Sequence, residues 1–161
     1  MKRNPKGFSL IELLIVVAII LIIAAIAIPD MMKSKMAANQ ASAVGSLRTL
    51  NTAEITFNST YQKGYSSSLL NLKAPPPGSV ASTAAAGLLD DILAAGLKSG
   101  YTFTYVPNSP DPQGYYQGYI LNGNPTAPGA TGQVYYFTDQ SYVIRTNNVR
   151  PATSTDTPMG K

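Results

Sequence analysis

The sequence predicts an α+β fold in which a long N-terminal α-helix packs on a small antiparallel β-sheet. Three observations carry this prediction. An apolar run lies near the N-terminus, a stretch without proline follows it to about Tyr61, and the last third consists of short aromatic and β-branched segments between turn residues. The 161-residue chain has room for one small globular domain once the apolar run is set aside.

The apolar run extends from Phe8 to Ile28, and as a helix of about 30 Å it can cross a bilayer. Three cations precede it, at Lys2, Arg3 and Lys6, which predicts a cytoplasmic N-terminus. The run is longer than the apolar part of a cleaved secretory signal and lacks the small-residue cleavage site of such signals. A simple signal anchor remains open at this point.

Glu12 is the one charged residue within the apolar run. A carboxylate near the middle of a transmembrane helix costs about 2.5–3.5 kcal/mol, and somewhat less near its end. One explanation is that Glu12 reaches the membrane interface from the first turn of the helix. The other is that it has a cationic partner on another chain.

The segment from Lys6 to Leu13, KGFSLIEL, resembles the processing and assembly motif of type IV pilins and type II secretion pseudopilins. The resemblance implies a type IV pilin-like fold, cleavage between Gly7 and Phe8 by a prepilin peptidase, and N-methylation of Phe8. It also implies that Glu12 pairs with the Phe8 amine of a neighbouring subunit during assembly. Pro29 lies where such pilins commonly carry a proline, and it is expected to kink or locally melt the helix.

The same resemblance implies a structural subunit, a homo-oligomer in a helical type IV pilus-like filament, served by an assembly ATPase and a platform membrane protein. The protein is then expected in the cytoplasmic (inner) membrane first and in an extracellular surface filament afterwards. A major-type pseudopilin, confined to the periplasm, is the alternative within the family. A single-pass membrane-anchored periplasmic binding protein, which keeps residues 1–7, is the alternative from a different class.

The composition argues against an enzyme and against a nucleic-acid-binding protein. The chain contains no Cys and no His, which removes thiol catalysis, histidine general-base catalysis and the common zinc sites. The net charge is +4, and three of the twelve cations precede Phe8, so no basic surface for nucleic acid is indicated. Asp111 and Asp139 lack the spacing of a calcium loop, and we predict no catalytic residue, cofactor or metal site.

Beyond Pro29, apolar residues recur on one helical stripe, with Ser46 and Asn51 expected on the polar face and Glu54 in solvent. Asp90 and Asp91 are expected to begin a short helix. Strands are predicted at 101–106, 118–121, 134–138 and 142–145. The predicted organisation is a cleaved leader (1–7), a transmembrane and assembly helix (8–28), its amphipathic continuation (29–61), a connecting region with a short helix (62–100), and the sheet with a C-terminal loop (101–161).

Many proteins with the motif close the C-terminal part of the head with a disulfide. This chain has no Cys, so other contacts are expected to hold its C-terminal loop.

Overall fold

A computed structural model describes residues 7–160, and the leader residues 1–6 lie outside the described part. The chain divides into two units, Met1–Lys35 and Met36–Lys161. The first helix, α1, spans Leu10–Tyr61 and contains Pro29. The predicted long helix and its end at Tyr61 are therefore confirmed.

In the first unit, the described side chains of α1 are almost all exposed. Leu10, Leu21 and Ile26 are 81%, 63% and 67% exposed. The segment is long and apolar enough to cross a membrane, and its most apolar window buries no residue within the described structure. Its apolar surface therefore has no partner within the described part of this chain.

In the second unit, α1 places an apolar stripe against the β-sheet. Leu47 and Leu50 are fully buried, and Phe57 is nearly so. They share one core with aromatic and aliphatic side chains of the sheet: Tyr101, Phe103, Tyr119, Leu121 and Tyr136. The prediction that the helix covers one sheet face is confirmed, and burial of this stripe helps to stabilise the unit.

The prediction that Ser46 and Asn51 face solvent was wrong, because both are 5% exposed. Asn51 lies where the helix meets the sheet and donates through Nδ2 to Thr138 Oγ1 at 3.1 Å. Its Oδ1 accepts from the Tyr119 hydroxyl at 2.9 Å. Because partners on the sheet satisfy both ends of the amide, burial of this polar side chain carries no large desolvation penalty.

The sheet is an antiparallel meander in which each strand pairs with the next along the chain. The longest pair has Tyr101 opposite Pro125 and Pro110 opposite Tyr116. The strands are β1 (Leu97–Lys98), β2 (Tyr101–Pro110), β3 (Tyr116–Pro125), β4 (Tyr135–Asp139), β5 (Arg145–Asn147) and β6 (Thr157–Pro158).

The strand predicted at 142–145 was wrong in position, since β5 begins only at Arg145. Tyr142 instead ends a turn, with its N–H donating to Asp139 O at 2.9 Å. Its φ of 61° is a left-handed conformation that a strand does not accommodate. The aromatic and β-branched composition of this segment predicted the wrong local structure because the turn overrides it.

The connecting region contains a short 3₁₀ helix (Leu69–Leu72) and the helix α2 (Asp91–Ala94). Asp90 is the N-cap of α2, and its Oδ1 accepts from Leu93 N at 2.7 Å. This bond, with smaller help from Lys98, lowers the pKa of Asp90 below its ordinary value. The predicted helix-start role of the Asp pair is confirmed, although α2 is shorter than the apolar spacing indicates.

Glu54 is fully buried, so its predicted position in solvent was wrong. Its carboxylate accepts from Ser66 N at 2.9 Å and from Ser66 Oγ at 2.6 Å. Tyr105 packs over the same point and donates its hydroxyl to Ser66 O at 2.8 Å. Desolvation raises the pKa of Glu54 above its ordinary value, in spite of the opposing hydrogen bonds. Glu54 therefore fastens the start of the connecting region to α1.

Asp156 organises the C-terminal loop. Its carboxylate accepts from Asn147 Nδ2 at 2.9 Å and from Thr153 N at 2.7 Å, and it forms an ion pair with Arg150 at 3.0 Å. The hydrogen bond from Asn147 is the first cause that lowers the pKa of Asp156 to about 2. These contacts hold the loop that many proteins with the motif close with a disulfide.

Candidate processing and assembly site

The predicted cleavage point lies in a short non-helical segment immediately before α1. Gly7, Phe8 and Ser9 are exposed, and the Phe8 side chain is 84% accessible. A β-carbon added at Gly7 would meet no described atom within 4 Å. Packing within the described chain therefore does not require glycine here, and a requirement for a small residue would have to come from a partner that binds this segment.

Glu12 lies in the first turn of α1, where its Oε2 accepts from Ser9 N at 2.8 Å. Ser9 immediately precedes the helix, so this contact is the glutamate half of a capping box. It satisfies a backbone N–H that the helix leaves without a partner, and the negative charge lies at the favourable end of the helix dipole. Sequence reasoning missed the role of Ser9, although a serine three residues before a glutamate at the start of an apolar run indicates it.

The cap leaves the Glu12 carboxylate exposed and able to accept from a group outside the chain. Its neighbours Ile11 and Leu13 are apolar and 63% and 60% exposed. An ionised carboxylate on such a surface gains strongly from a cation when the surface is removed from water, because an unpaired charge is then costly. The geometry suits a charge-pairing contact and a helix cap at once.

Pro29 lies within α1 with helix on both sides. Proline has no amide hydrogen, so the Ala25 carbonyl lacks its usual donor four residues ahead. Directly after it, Lys33 Nζ pairs with Asp30 Oδ1 at 3.2 Å, and Ser34 Oγ donates to Asp30 O at 3.0 Å. Kinking or local melting at Pro29 stays a prediction.

The two carboxylates considered as calcium ligands accept hydrogen bonds from backbone N–H groups of their own turns. Asp111 Oδ1 accepts from Gln113 N and Tyr115 N within the β2–β3 hairpin, and Asp139 Oδ1 accepts from Ser141 N. Residues 7–160 contain no group of three Asp, Glu, His or Cys side chains suited to a metal ion. The arrangement gives no geometric support to a calcium site.

Comparison with known proteins concerns the N-terminal segment. The family model for the prokaryotic N-terminal methylation motif matches residues 2–28. The type IV major pilin protein PilA of Myxococcus xanthus is 52% identical over 56 residues, which cover 34% of this chain and 26% of that protein. The type IV wide pilus major component PilA4 of Thermus thermophilus is 60% identical over 37 residues, which cover 23% of this chain and 28% of that protein.

The matched stretch thus spans only about a quarter of either relative. No solved structure matches the chain significantly. The matched segment nevertheless includes Gly7, Phe8, Glu12 and the exposed apolar part of α1 within the family motif. The N-terminal segment carries the methylation motif and supports a relation to type IV pilins, and the long helix followed by an antiparallel sheet is an α+β arrangement like theirs.

Proposed function

We propose that this protein is the structural subunit of a type IV pilus-like helical filament. It is made as a prepilin that inserts in the inner membrane with its N-terminus in the cytoplasm. A prepilin peptidase cleaves after Gly7 and N-methylates Phe8, and an assembly ATPase with a platform membrane protein moves the subunit into a surface filament. The subunit acts through assembly and has no catalytic role.

The observation that carries the proposal is the exposed apolar surface of α1 next to an accessible Gly7–Phe8 bond. Apolar residues cover the whole circumference of the segment up to Ile28, whereas a helix of a soluble head leaves only one apolar stripe. Lipid covers such a surface before assembly, and identical helices from other copies pack against it afterwards. The names of the two matched relatives support the filament over other membrane-anchored proteins.

Mass spectrometry and N-terminal sequencing of sheared extracellular filaments, and separately of membranes, test the proposal. We expect a chain that begins with N-methylated Phe8 in the sheared fraction. Processed protein found only in membranes would identify a periplasmic pseudopilin instead. A chain that keeps residues 1–7 throughout would identify a membrane-anchored periplasmic protein and contradict the proposal.

Substitutions at Glu12 separate charge pairing from helix capping. Glutamine is accepted at this position of a capping box, so Glu12→Gln keeps the bond to Ser9 N and removes only the charge. We expect both Glu12→Gln and Glu12→Ala to insert in the membrane and to lose at least tenfold in filament yield, measured by quantitative immunoblotting of sheared material. Asp30→Asn, which removes an exposed charge further along α1, is the control and should assemble normally. Normal filament yield with Glu12→Gln would limit Glu12 to capping.

A further inference from the structure

Two tyrosines to which the proposed function assigns no role meet at the surface of the head. The hydroxyl oxygens of Tyr65 and Tyr142 lie 2.8 Å apart, although 77 residues separate them in the sequence. Among the described residues, 7–160, they are the one pair of tyrosines whose hydroxyls are hydrogen-bonded to each other. Tyr142 is 38% exposed and Tyr65 is half-buried, so this contact is open to solvent.

The chain holds the two rings in different ways. Tyr65 N donates to Tyr116 O at 2.8 Å, and the Tyr65 ring packs edge-on against the Tyr119 ring with the centroids 4.9 Å apart. Tyr142 lies in the turn between β4 and β5, where its N–H donates to Asp139 O at 2.9 Å. Because surface turns move more easily than the strands they connect, Tyr142 can bring the edge of its ring onto that of Tyr65.

The hydrogen bond between Tyr65 and Tyr142 accounts for little of the stability of the head. Water offers equivalent partners to both exposed hydroxyls, so such a bond contributes little net free energy. Tyr119 differs, because it is fully buried and its hydroxyl donates to Asn51 Oδ1 where the helix meets the sheet. The Tyr65–Tyr142 pair therefore leaves two adjacent phenol groups available for reaction at the surface.

Two phenol groups in contact couple when each loses one hydrogen atom. A haem peroxidase uses hydrogen peroxide to remove the hydrogen atom from each hydroxyl, and the peroxide becomes two water molecules. The ring carbons next to the two hydroxyl-bearing carbons then form one C–C bond, and the hydrogen atoms of those carbons move to the two oxygens. Because the hydroxyls are hydrogen-bonded, Tyr65 can pass its hydrogen atom to an oxidised Tyr142 and need not meet the oxidant itself.

We propose that Tyr65 and Tyr142 are a site of oxidative cross-linking, at which a haem peroxidase and hydrogen peroxide form a dityrosine bond within one chain. The bond joins the start of the connecting region to the turn after β4, and it encloses strands β1 to β4. A covalent link across such a long loop restricts the unfolded chain, as a disulfide does. The chain has no Cys, so a link of this kind is the covalent closure that its own side chains offer at this point.

Treatment of the full-length chain with a haem peroxidase and hydrogen peroxide, at low concentration in non-ionic detergent micelles, tests the cross-link. We expect a monomer that is lighter by two hydrogen atoms and shows dityrosine fluorescence, in a yield that does not depend on protein concentration. Trypsin places Tyr65 in peptide 64–73 and Tyr142 in peptide 99–145, so these two peptides should be joined, and fragmentation should locate the bond at Tyr142. Absence of this monomer, or a bond between other tyrosines, would overturn the proposal.

Substitution by phenylalanine removes one hydroxyl and keeps the ring. Tyr65→Phe and Tyr142→Phe should each lower the yield of cross-linked monomer at least tenfold. Tyr115→Phe is the matched control, because Tyr115 is 37% exposed, about as much as Tyr142, and it should leave the yield unchanged. Backbone amide NMR spectra check that each variant keeps the fold. Equal yields from the Tyr142→Phe chain and the parent chain would contradict the proposal, as would an equal loss with Tyr115→Phe.

The cross-linked chain should unfold at a higher urea concentration than the untreated chain, because the link restricts only the unfolded state. A urea midpoint at or below that of the untreated chain would contradict a closure that stabilises the head. Neither this measurement nor the location of the bond depends on cleavage after Gly7 or on filament formation. The cross-link and the proposed function can therefore fail separately.

Discussion

One helix, α1, contains two segments with opposite surroundings. Residues 10–35 expose Leu, Ile and Val side chains in all directions, whereas residues 36–61 bury a single stripe against the sheet. Both segments are rich in helix-forming residues, so helix propensity does not distinguish them. They differ in what covers their apolar side chains. The sheet of the head covers those of the second segment, whereas no described residue of this chain covers those of the first. A continuous helix can therefore have different stabilising surroundings along its length.

The two glutamates of α1 differ in their surroundings in the same way. Glu12 caps the exposed start of α1, and Glu54 is fully buried near its end, where it binds Ser66. The first carboxylate can still receive a partner from outside, whereas the second is enclosed by its own chain. A glutamate on α1 is thus open to an outside partner or enclosed by its own chain according to the segment in which it lies.

The largest expected effect is the loss of a buried side chain from the second segment. Leu50 is fully buried, and Leu50→Ala removes its packing against the sheet, so it should lower the free energy of unfolding of the head by about 2–5 kcal/mol. Urea unfolding of the full-length chain in micelles, followed by the near-ultraviolet circular dichroism of the tyrosines, measures this change. The matched variant Leu21→Ala, at a 63% exposed position, should leave the transition in place. Equal destabilisation by both substitutions would break the comparison.

The sequence predicted the regular parts of the fold because their signals are local. Apolar spacing identified the stripe of Leu47 and Leu50, and aromatic and β-branched composition identified the central strands β2, β3 and β4. The weak edge strands β1 and β6 were not predicted, because strands of two residues carry almost no pattern of their own.

The errors concern polar residues whose partners lie far away in the sequence. Asn51 is buried because Tyr119 and Thr138 satisfy it, and these partners are 68 and 87 residues away. Glu54 is buried because Ser66 returns to it after α1 ends. A polar residue without a visible partner is reasonably assigned to solvent, so single-sequence reasoning fails where tertiary contacts supply the partner. The motif of the candidate site was identified because it is contiguous in the sequence. The roles of its residues stay predictions, and the capping bond to Ser9 was overlooked.

Glu54 supplies the second prediction, a pH dependence of head stability. Burial raises the pKa of Glu54 above its ordinary value, 4.5, so the folded head binds this proton more tightly than the unfolded chain does. The contribution of the protonated side chain is fully present below the ordinary pKa and is lost as the pH rises through the raised pKa. Tyr65, Tyr105 and Tyr119 are the titratable groups that face Glu54, and their pKa values are also raised, so they remain neutral in this range.

Urea unfolding at a series of pH values between about 4 and 8 measures the Glu54 effect, a range chosen to start near the ordinary pKa of glutamate. Glu54→Gln keeps a side chain of similar size without the titration, and the decline of stability with rising pH should become shallower. Glu12→Gln, on the exposed segment, should leave the slope unchanged. A shallower slope with Glu54→Gln than with Glu12→Gln would show that the buried glutamate causes the pH dependence of head stability. Identical slopes would show that Glu54 does not cause it.

The smallest effect on the head is expected from Pro29→Ala in the exposed segment. The substitution restores an N–H that can donate to the Ala25 carbonyl, and it replaces the poorest helix former with the best one. Helix stability should therefore rise locally, while the urea transition of the head stays where it is, because the segment buries nothing within the described structure. Amide hydrogen exchange of the full-length chain in micelles, resolved by NMR, should become slower in the turn after residue 29.

Ile28→Ala is the control for Pro29, because it changes the neighbouring side chain and keeps every backbone N–H. It should leave exchange after residue 29 nearly unchanged. Slower exchange with Pro29→Ala alone would show that the missing hydrogen bond makes this part of α1 the easiest to open, which the predicted local melting requires. Unchanged exchange would mean that the helix tolerates the missing bond, and the contrast between the two segments would then rest on burial alone.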